Sequence, residues 1–371
     1  MATLRGEAVD RPPLSFYELN GLDENPEDGD PFNIYSHPSW RPLIELTKEK
    51  TDRIVMRGVA YASITPDPLE ALSQTETYLQ DGRRFSVSRI PAGGRILTSR
   101  TRRDPDVNTV WTEEHLLKDT DDLCAFLELP PPPATDDPVD TRAVFETEAA
   151  LGDTGIVMID TPDPLCLAAS LFDMGEYTVT ALTEQTLFHT LLERFASTLW
   201  AKTEAVSRAL PGRLWRIYGP EYASPPYLPP YLFREYVCRY VTPMIEAIHR
   251  NGGYVRIHSH GNLKAILDDI ASMNADGLDP IEPPPQGDVE LQYVRERYGK
   301  KMVLFGNLEA SDIENLPTGQ FAEKVKRALD EGTSGNGRGF VLMPSACPYG
   351  RILSDLALRN YERLVEITGG A

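Results

Sequence analysis

The stretch YVRIHSHGN (residues 254–262) runs from an alternating apolar segment straight into two histidines one residue apart, followed by Gly-Asn. The segment before them reads as a short β-strand. Side-chain direction repeats every second residue along a strand, so His258 and His260 leave the chain on the same side. They are two of only six histidines in 371 residues, which makes a shared metal ion or substrate one reading of the pair. A packed strand-end histidine beside a solvated one is the other.

Working outward, runs of the same kind recur at PLSFYEL (13–19), RIVMRG (53–58), GIVMID (155–160), RLWRIYG (213–219), GLDPIE (277–282), MVLFGN (302–307) and FVLMP (340–344). With 254–259 they number eight, the count that closes a (β/α)8 barrel. Between them, residues 187–210, 232–250, 263–273, 321–330 and 355–367 carry apolar side chains three and four apart, as helices covering a sheet require. This alternation predicts an α/β fold with a buried parallel sheet. An open doubly wound sheet competes, but no G-x-G-x-x-G follows an early strand. The chain reads as one domain, residues 1–371, a single TIM barrel with an N-terminal extension and one insertion. That insertion is 75–111, where Asp-Gly and Gly-Gly break short alternating runs into β-hairpins. A Pro-rich connector at 130–138 leads back to the barrel.

Composition narrows the function. A formal net charge of -19 repels phosphate backbones and anionic headgroups, so neither nucleic acid nor a membrane surface is an expected partner. No apolar run approaches the roughly 20 residues of a membrane span, and the first residues lack an apolar signal core, so a soluble cytoplasmic protein is expected. The four cysteines lie far apart without C-x-x-C spacing, as suits a reducing compartment. Seven arginines at 83–103 make the hairpins locally positive, as a solvated surface or as a contact for an anionic partner. The loop GTSGNGRG (332–339) precedes a strand and does not open a helix, so it reads as a loop and not a phosphate cradle.

In a barrel the reactive groups lie at the C-terminal ends of the strands. Those ends here carry Glu18, Asp160, Glu221, His258 with His260, Glu282, Asn307 and Cys347. Each alone has a plain structural reading, such as Asp160 capping a helix. Together, imidazole, carboxylate and thiol are what a zinc site uses, and the candidate ligands are His258 or His260 with Glu282 and Cys347. A thiolate favours zinc over magnesium or calcium. A buried inert thiol is the alternative for Cys347.

From about residue 155 onward, GPEYASPP, HSHGN, DGLDPIEPPPQGDVEL, LFGNLEASDIENL and SACPYG…LRNYERLVE occur in an order that resembles the uroporphyrinogen decarboxylase superfamily, most closely its cobalamin-linked methyltransferase branch. The resemblance implies a (β/α)8 barrel. It also implies a zinc site built on a His-x-Cys-Gly motif and a later Cys, to which His258 and Cys347 correspond. His260 stands where the motif has Cys, so the ligand set is altered to His258, His260, Glu282 and Cys347. The decarboxylases' N-terminal Arg-Gln-Ala-Gly-Arg segment, which grips substrate carboxylates, has no counterpart in RPPLSFYELNGLD (11–23). Losing arginine's bidentate fork argues against a tetracarboxylate substrate.

The resemblance therefore implies methyl transfer from a small methylated or methoxylated donor to a corrinoid on a separate carrier protein. Glu221 or Asp160 would position the donor or a proton, and Tyr222 with SPPYLPP (224–230) would shape the pocket. A homodimer is left open. A decarboxylase on the same scaffold is the nearest alternative. A metal-dependent hydrolase would also use His-x-His, but no histidine follows His260 to extend its ligand list. A non-catalytic binding protein is the third.

Overall fold

The computed structural model describes residues 1–62, 68–131, 137–335, 337 and 339–369. Its strands are β1 (Arg53–Arg57), β2 (Gln74–Gln80), β3 (Arg83–Ala92), β4 (Arg95–Arg103), β5 (Val110–Glu114), β6 (Gly155–Pro162), β7 (Leu214–Tyr218), β8 (Tyr254–His258), β9 (Gly277–Asp279), β10 (Val303–Leu308) and β11 (Phe340–Pro344). Seven of them form one curled parallel sheet in the order β1-β6-β7-β8-β9-β10-β11. Strand order follows chain order with no reversal, which excludes the doubly wound alternative.

The run at 13–19, expected as an eighth strand, is a correction. It contributes one parallel bridge, Leu14 to Leu342, and a second short bridge that folds Phe16 back on Leu19. Proline lacks an N–H for a ladder, so Pro12 and Pro13 cannot extend the pairing toward the N-terminus. The backbone at 13–15 still bonds to both edges of the sheet. Pro13 and Leu342 carbonyls accept from Leu342 and Ser15, while the Leu14 carbonyl accepts from Asp52 at 2.7 Å. The run at 277–282 is likewise shortened to three residues, ending where Pro280 begins.

Alternate strand residues face two different cores. Ile54, Met158, Leu214, Val303, Phe305, Val341 and Met343 pack together inside the curl, with Tyr17 and with Leu4 from the N-terminal helix Ala2–Arg5. Val55, Val157, Ile159, Trp215, Ile217, Val255, Ile257, Leu304 and Leu342 belong to the larger cluster under the helices. Burial on both faces is why these strands read as nearly continuous apolar runs. The covering helices, among them Gln185–Ala209, Arg239–Arg250, Thr318–Thr333 and Asp355–Thr368, lie where the three-and-four spacing predicts. No described helix is long and apolar enough to cross a membrane.

The insertion is a four-stranded antiparallel sheet, β2-β3-β4-β5. Asp81-Gly82 and Gly93-Gly94 both have positive φ at each position, the two-residue turn that matches strand twist. Its arginines are paired within the chain: Arg84 to Asp30, Arg95 to Asp119, Asp121 and Asp122, Arg102 to Glu113 and Asp104. The hairpins are therefore less positive than their sequence alone. Most of the expected connector, residues 132–136, and positions 336 and 338 of the glycine-rich loop lie outside the described residues.

Candidate active site

Register builds the site from the inside of the sheet outward. Asp160 on β6, Arg216 on β7 and Arg256 on β8 are successive partners across three strands, so their side chains share one interior layer. Two guanidinium groups side by side need two carboxylates, since an unpaired buried charge is very costly. Arg216 donates to both Asp160 oxygens, at 2.6 and 3.1 Å. Arg256 Nε lies 2.8 Å from Asp279 Oδ1, as an ion pair without the alignment of a hydrogen bond. Arg256 is 1% and Asp279 0% exposed, and the Arg256 guanidinium also sits over the Phe305 ring at 4.9 Å.

Two residues further along β8, on the same face, His258 is the register partner of Asp279. Its Nδ1 is 2.9 Å from Asp279 Oδ2, so that nitrogen carries a proton toward the carboxylate and Nε2 faces away from it. Tyr17 lies 3.4 Å from that Nε2, stacks against the ring, and accepts from Arg216 Nη1 at 2.6 Å. The result is one continuous buried chain, Asp160–Arg216–Tyr17–His258–Asp279–Arg256. Burial raises the Tyr17 phenol far above its ordinary value, so it stays neutral and donates. Burial alone would raise Asp279 too, but Arg256 and His258 outweigh it and hold the carboxyl below the usual range.

At the mouth, the His260 ring meets the His258 ring edge-on with centroids 4.7 Å apart. His260 Nδ1 lies 3.0 Å from Glu282 Oε1, and Glu282 Oε2 accepts from the Gly261 N–H at 2.7 Å. Burial opposes charge on His260, yet its bond to Glu282 and the charges of Glu282, Glu221 and Asp279 raise its pKa overall. Glu282 is lowered in return, against its own burial, by His260 and Gly261. Glu309, just past β10, is pushed up to about 7 by burial and then by the Glu282 charge, and its Oε2 accepts from Ser345.

The other expected residues have separate partners. Glu221 accepts from the Gly219 N–H in the short helix Pro220–Ala223. The Tyr222 carbonyl accepts from the Tyr177 hydroxyl, and burial raises the Tyr222 phenol to about 12. Cys347 donates its thiol to Glu18 at 3.2 Å, and burial, then Glu18, raise its pKa well above the ordinary value, so the sulfur is a neutral thiol. Thus His258, His260 and Glu282 adjoin, Glu221 acts on His260 through its charge, and Asp160 reaches His258 through Arg216 and Tyr17. Cys347 is engaged elsewhere. Among the described residues no three His, Cys, Asp or Glu side chains group closely enough to hold a metal ion.

Sequence reading passed over Tyr17, Arg216, Arg256, Asp279 and Glu309. A signal for two of them was present. Arg216 and Arg256 are charged residues in the middle of apolar strand runs, in the phase that points with His258.

The sequence profile of the family described as "Uroporphyrinogen decarboxylase (URO-D)" matches residues 129–369, well over half of the chain. Among solved structures, a "methyltransferase from Methanosarcina mazei" is similar over 99% of this chain and 96% of that one, with a TM-score of 0.60 and 15% identity. At that identity the likeness is one of fold. Comparison with curated proteins gives no match.

Proposed function

The chain belongs to the uroporphyrinogen decarboxylase family, and from that premise we propose that it is a zinc-dependent methyltransferase. It would take a methyl group from a small methylated or methoxylated donor and deliver it to a corrinoid on a carrier protein. The reaction would occur at the mouth of a (β/α)8 barrel whose eighth position is taken by residues 13–16. The observation that carries the reading is the group His258–His260–Glu282 at the C-terminal ends of neighbouring strands, with His258 held in one tautomer by Asp279. The likeness to a protein named a methyltransferase supports it.

The donor set suits zinc in kind: two imidazoles, a carboxylate and a thiol. As placed in the structure these side chains do not yet group closely enough for an ion; His258 Nε2, His260 and Glu282 would have to draw together to hold it, joined by Cys347 once its thiol gives up Glu18 and its proton. Bound zinc would act as a Lewis acid on the donor's heteroatom, easing departure of the methyl group. The chain's own contribution is orientation and charge. Asp279 fixes the His258 ring through Nδ1, and Tyr17, held by Arg216 and through it Asp160, would have to leave Nε2 for an ion to bind there. Glu221 and Glu309 place negative charge around His260, and Glu309 exchanges its proton near neutral pH. Tyr222 would line the donor's side of the mouth.

Decarboxylation of a polycarboxylate fits less well. Its substrate needs free guanidinium groups, and the interior Arg216 and Arg256 each already face a carboxylate of the chain.

Elemental analysis of gently purified protein tests the metal directly, with about one zinc per chain expected. Absence of zinc after reconstitution would overturn the metal centre while leaving the fold untouched.

A further inference from the structure

The helix Gln185–Ala209 lays Leu199, Thr203 and Val206 against the sheet. Lys202 falls on the same stripe, three residues from Leu199 and four from Val206, where an apolar side chain is the ordinary choice. The ammonium has no acceptor among the described residues, and burial lowers its pKa. On the facing strand, Trp215 is 2% exposed and its indole N–H also lacks a partner. Native proteins leave few buried donors unsatisfied, so the Trp215 N–H, with the half-buried Lys202 ammonium beside the same cavity, calls for an acceptor.

Both line a cavity of about 550 Å³ between that helix and the ends of β1, β6 and β7. Val59, Leu167, Leu199 and Val206 supply an apolar wall, and Tyr218 closes one side. Asp160 also borders it, but its carboxylate is taken by Arg216 in a bidentate pair. An apolar cavity with a few convergent polar groups is the form of a small-molecule site.

We propose that this cavity binds a small amphipathic carboxylate, with its head on the Lys202 ammonium and the Trp215 N–H and its apolar tail along Val59, Leu167, Leu199 and Val206. One ammonium and one neutral donor match the single charge and two oxygens of a carboxylate. They underserve a phosphate, which carries more charge and more acceptors. The inference does not depend on methyl transfer. Because Asp160 borders the cavity and anchors Arg216, an occupant lies against the outer end of the chain that leads to His258.

Calorimetric titration of the full chain with octanoate, 1-octanol and octylammonium tests it. Octanoate is expected to bind, and octylammonium is not. Lys202→Met should weaken octanoate roughly tenfold or more, the loss of a charged hydrogen bond, while leaving 1-octanol unchanged. Trp215→Phe should weaken octanoate by a smaller factor. Thermal melts guard against misfolding, and Lys202→Met is expected to melt no lower than wild type because an unpaired ammonium leaves an apolar stripe. Failure of wild type to bind octanoate, or equal octanoate affinity in Lys202→Met, would overturn the site.

Discussion

Asp279→Ala is expected to lower the stability of the fold by about 3–5 kcal/mol, the range seen when one partner of a buried ion pair is removed. Asp279 is fully buried and serves two groups, Arg256 and His258. Without it the Arg256 guanidinium keeps only the Phe305 face and a long contact to the Met343 sulfur at 3.7 Å. Removing both charges, as Arg256→Met with Asp279→Leu, should recover much of the loss, because a buried pair replaced by apolar groups is often near neutral. The pH dependence has a definite sign. The folded-state pKa of Asp279 is below the ordinary value, so its stabilisation is present at neutral pH. It is lost as pH falls through that lowered pKa. Urea unfolding of wild type and variants at neutral and acid pH would measure it. A loss under about 1 kcal/mol would place the pair in effectively solvated surroundings.

The second large effect falls on the metal. His258→Ala and His260→Ala are each expected to abolish tight zinc binding, since each removes a nitrogen ligand from a small set. Asp279→Asn should act more gently, lowering zinc affinity about 10–100-fold by releasing the His258 ring, if the fold holds. His260→Cys should keep zinc and lose turnover. A thiolate in place of imidazole makes the ion less positive and a weaker Lewis acid toward an ether oxygen. Competition with a chromogenic chelator reads all four variants. Full zinc occupancy in His260→Ala would make His260 a neighbour of the site and leave the ligand set to His258, Glu282 and Cys347.

Much of the parallel sheet was legible because its strands are buried on both faces and so write themselves as apolar runs bounded by polar turns. Residues 13–19 carry the same composition, but a proline pair at their start and a fold-back at Tyr17 reduce them to bridges. The hairpins were legible from Asp81-Gly82 and Gly93-Gly94, whose turn chemistry is local. Their ion pairs were not, because Asp30 and Asp119 are brought to Arg84 and Arg95 only by tertiary packing. The same distinction divides the site. His258, His260 and Glu282 could be put forward as candidates because strand ends are where such a fold places chemistry. Arg216, Arg256 and Asp279 are fixed by register between strands about 20–60 residues apart in sequence, information no local pattern holds. Cys347 shows the converse. Its position in the chain suggested a ligand, and only the structure reveals Glu18 as its partner.

The most direct measurement of the account is methylation of free cob(I)alamin by the zinc-loaded protein, followed by cobalamin absorbance with a panel of methoxylated and methylated small molecules as donors. Zinc-dependent formation of methylcobalamin with at least one donor is expected, abolished in His258→Ala. Methylation that proceeds equally in the zinc-free protein and in His258→Ala would contradict it, as would no methylation from any donor by protein shown to carry zinc.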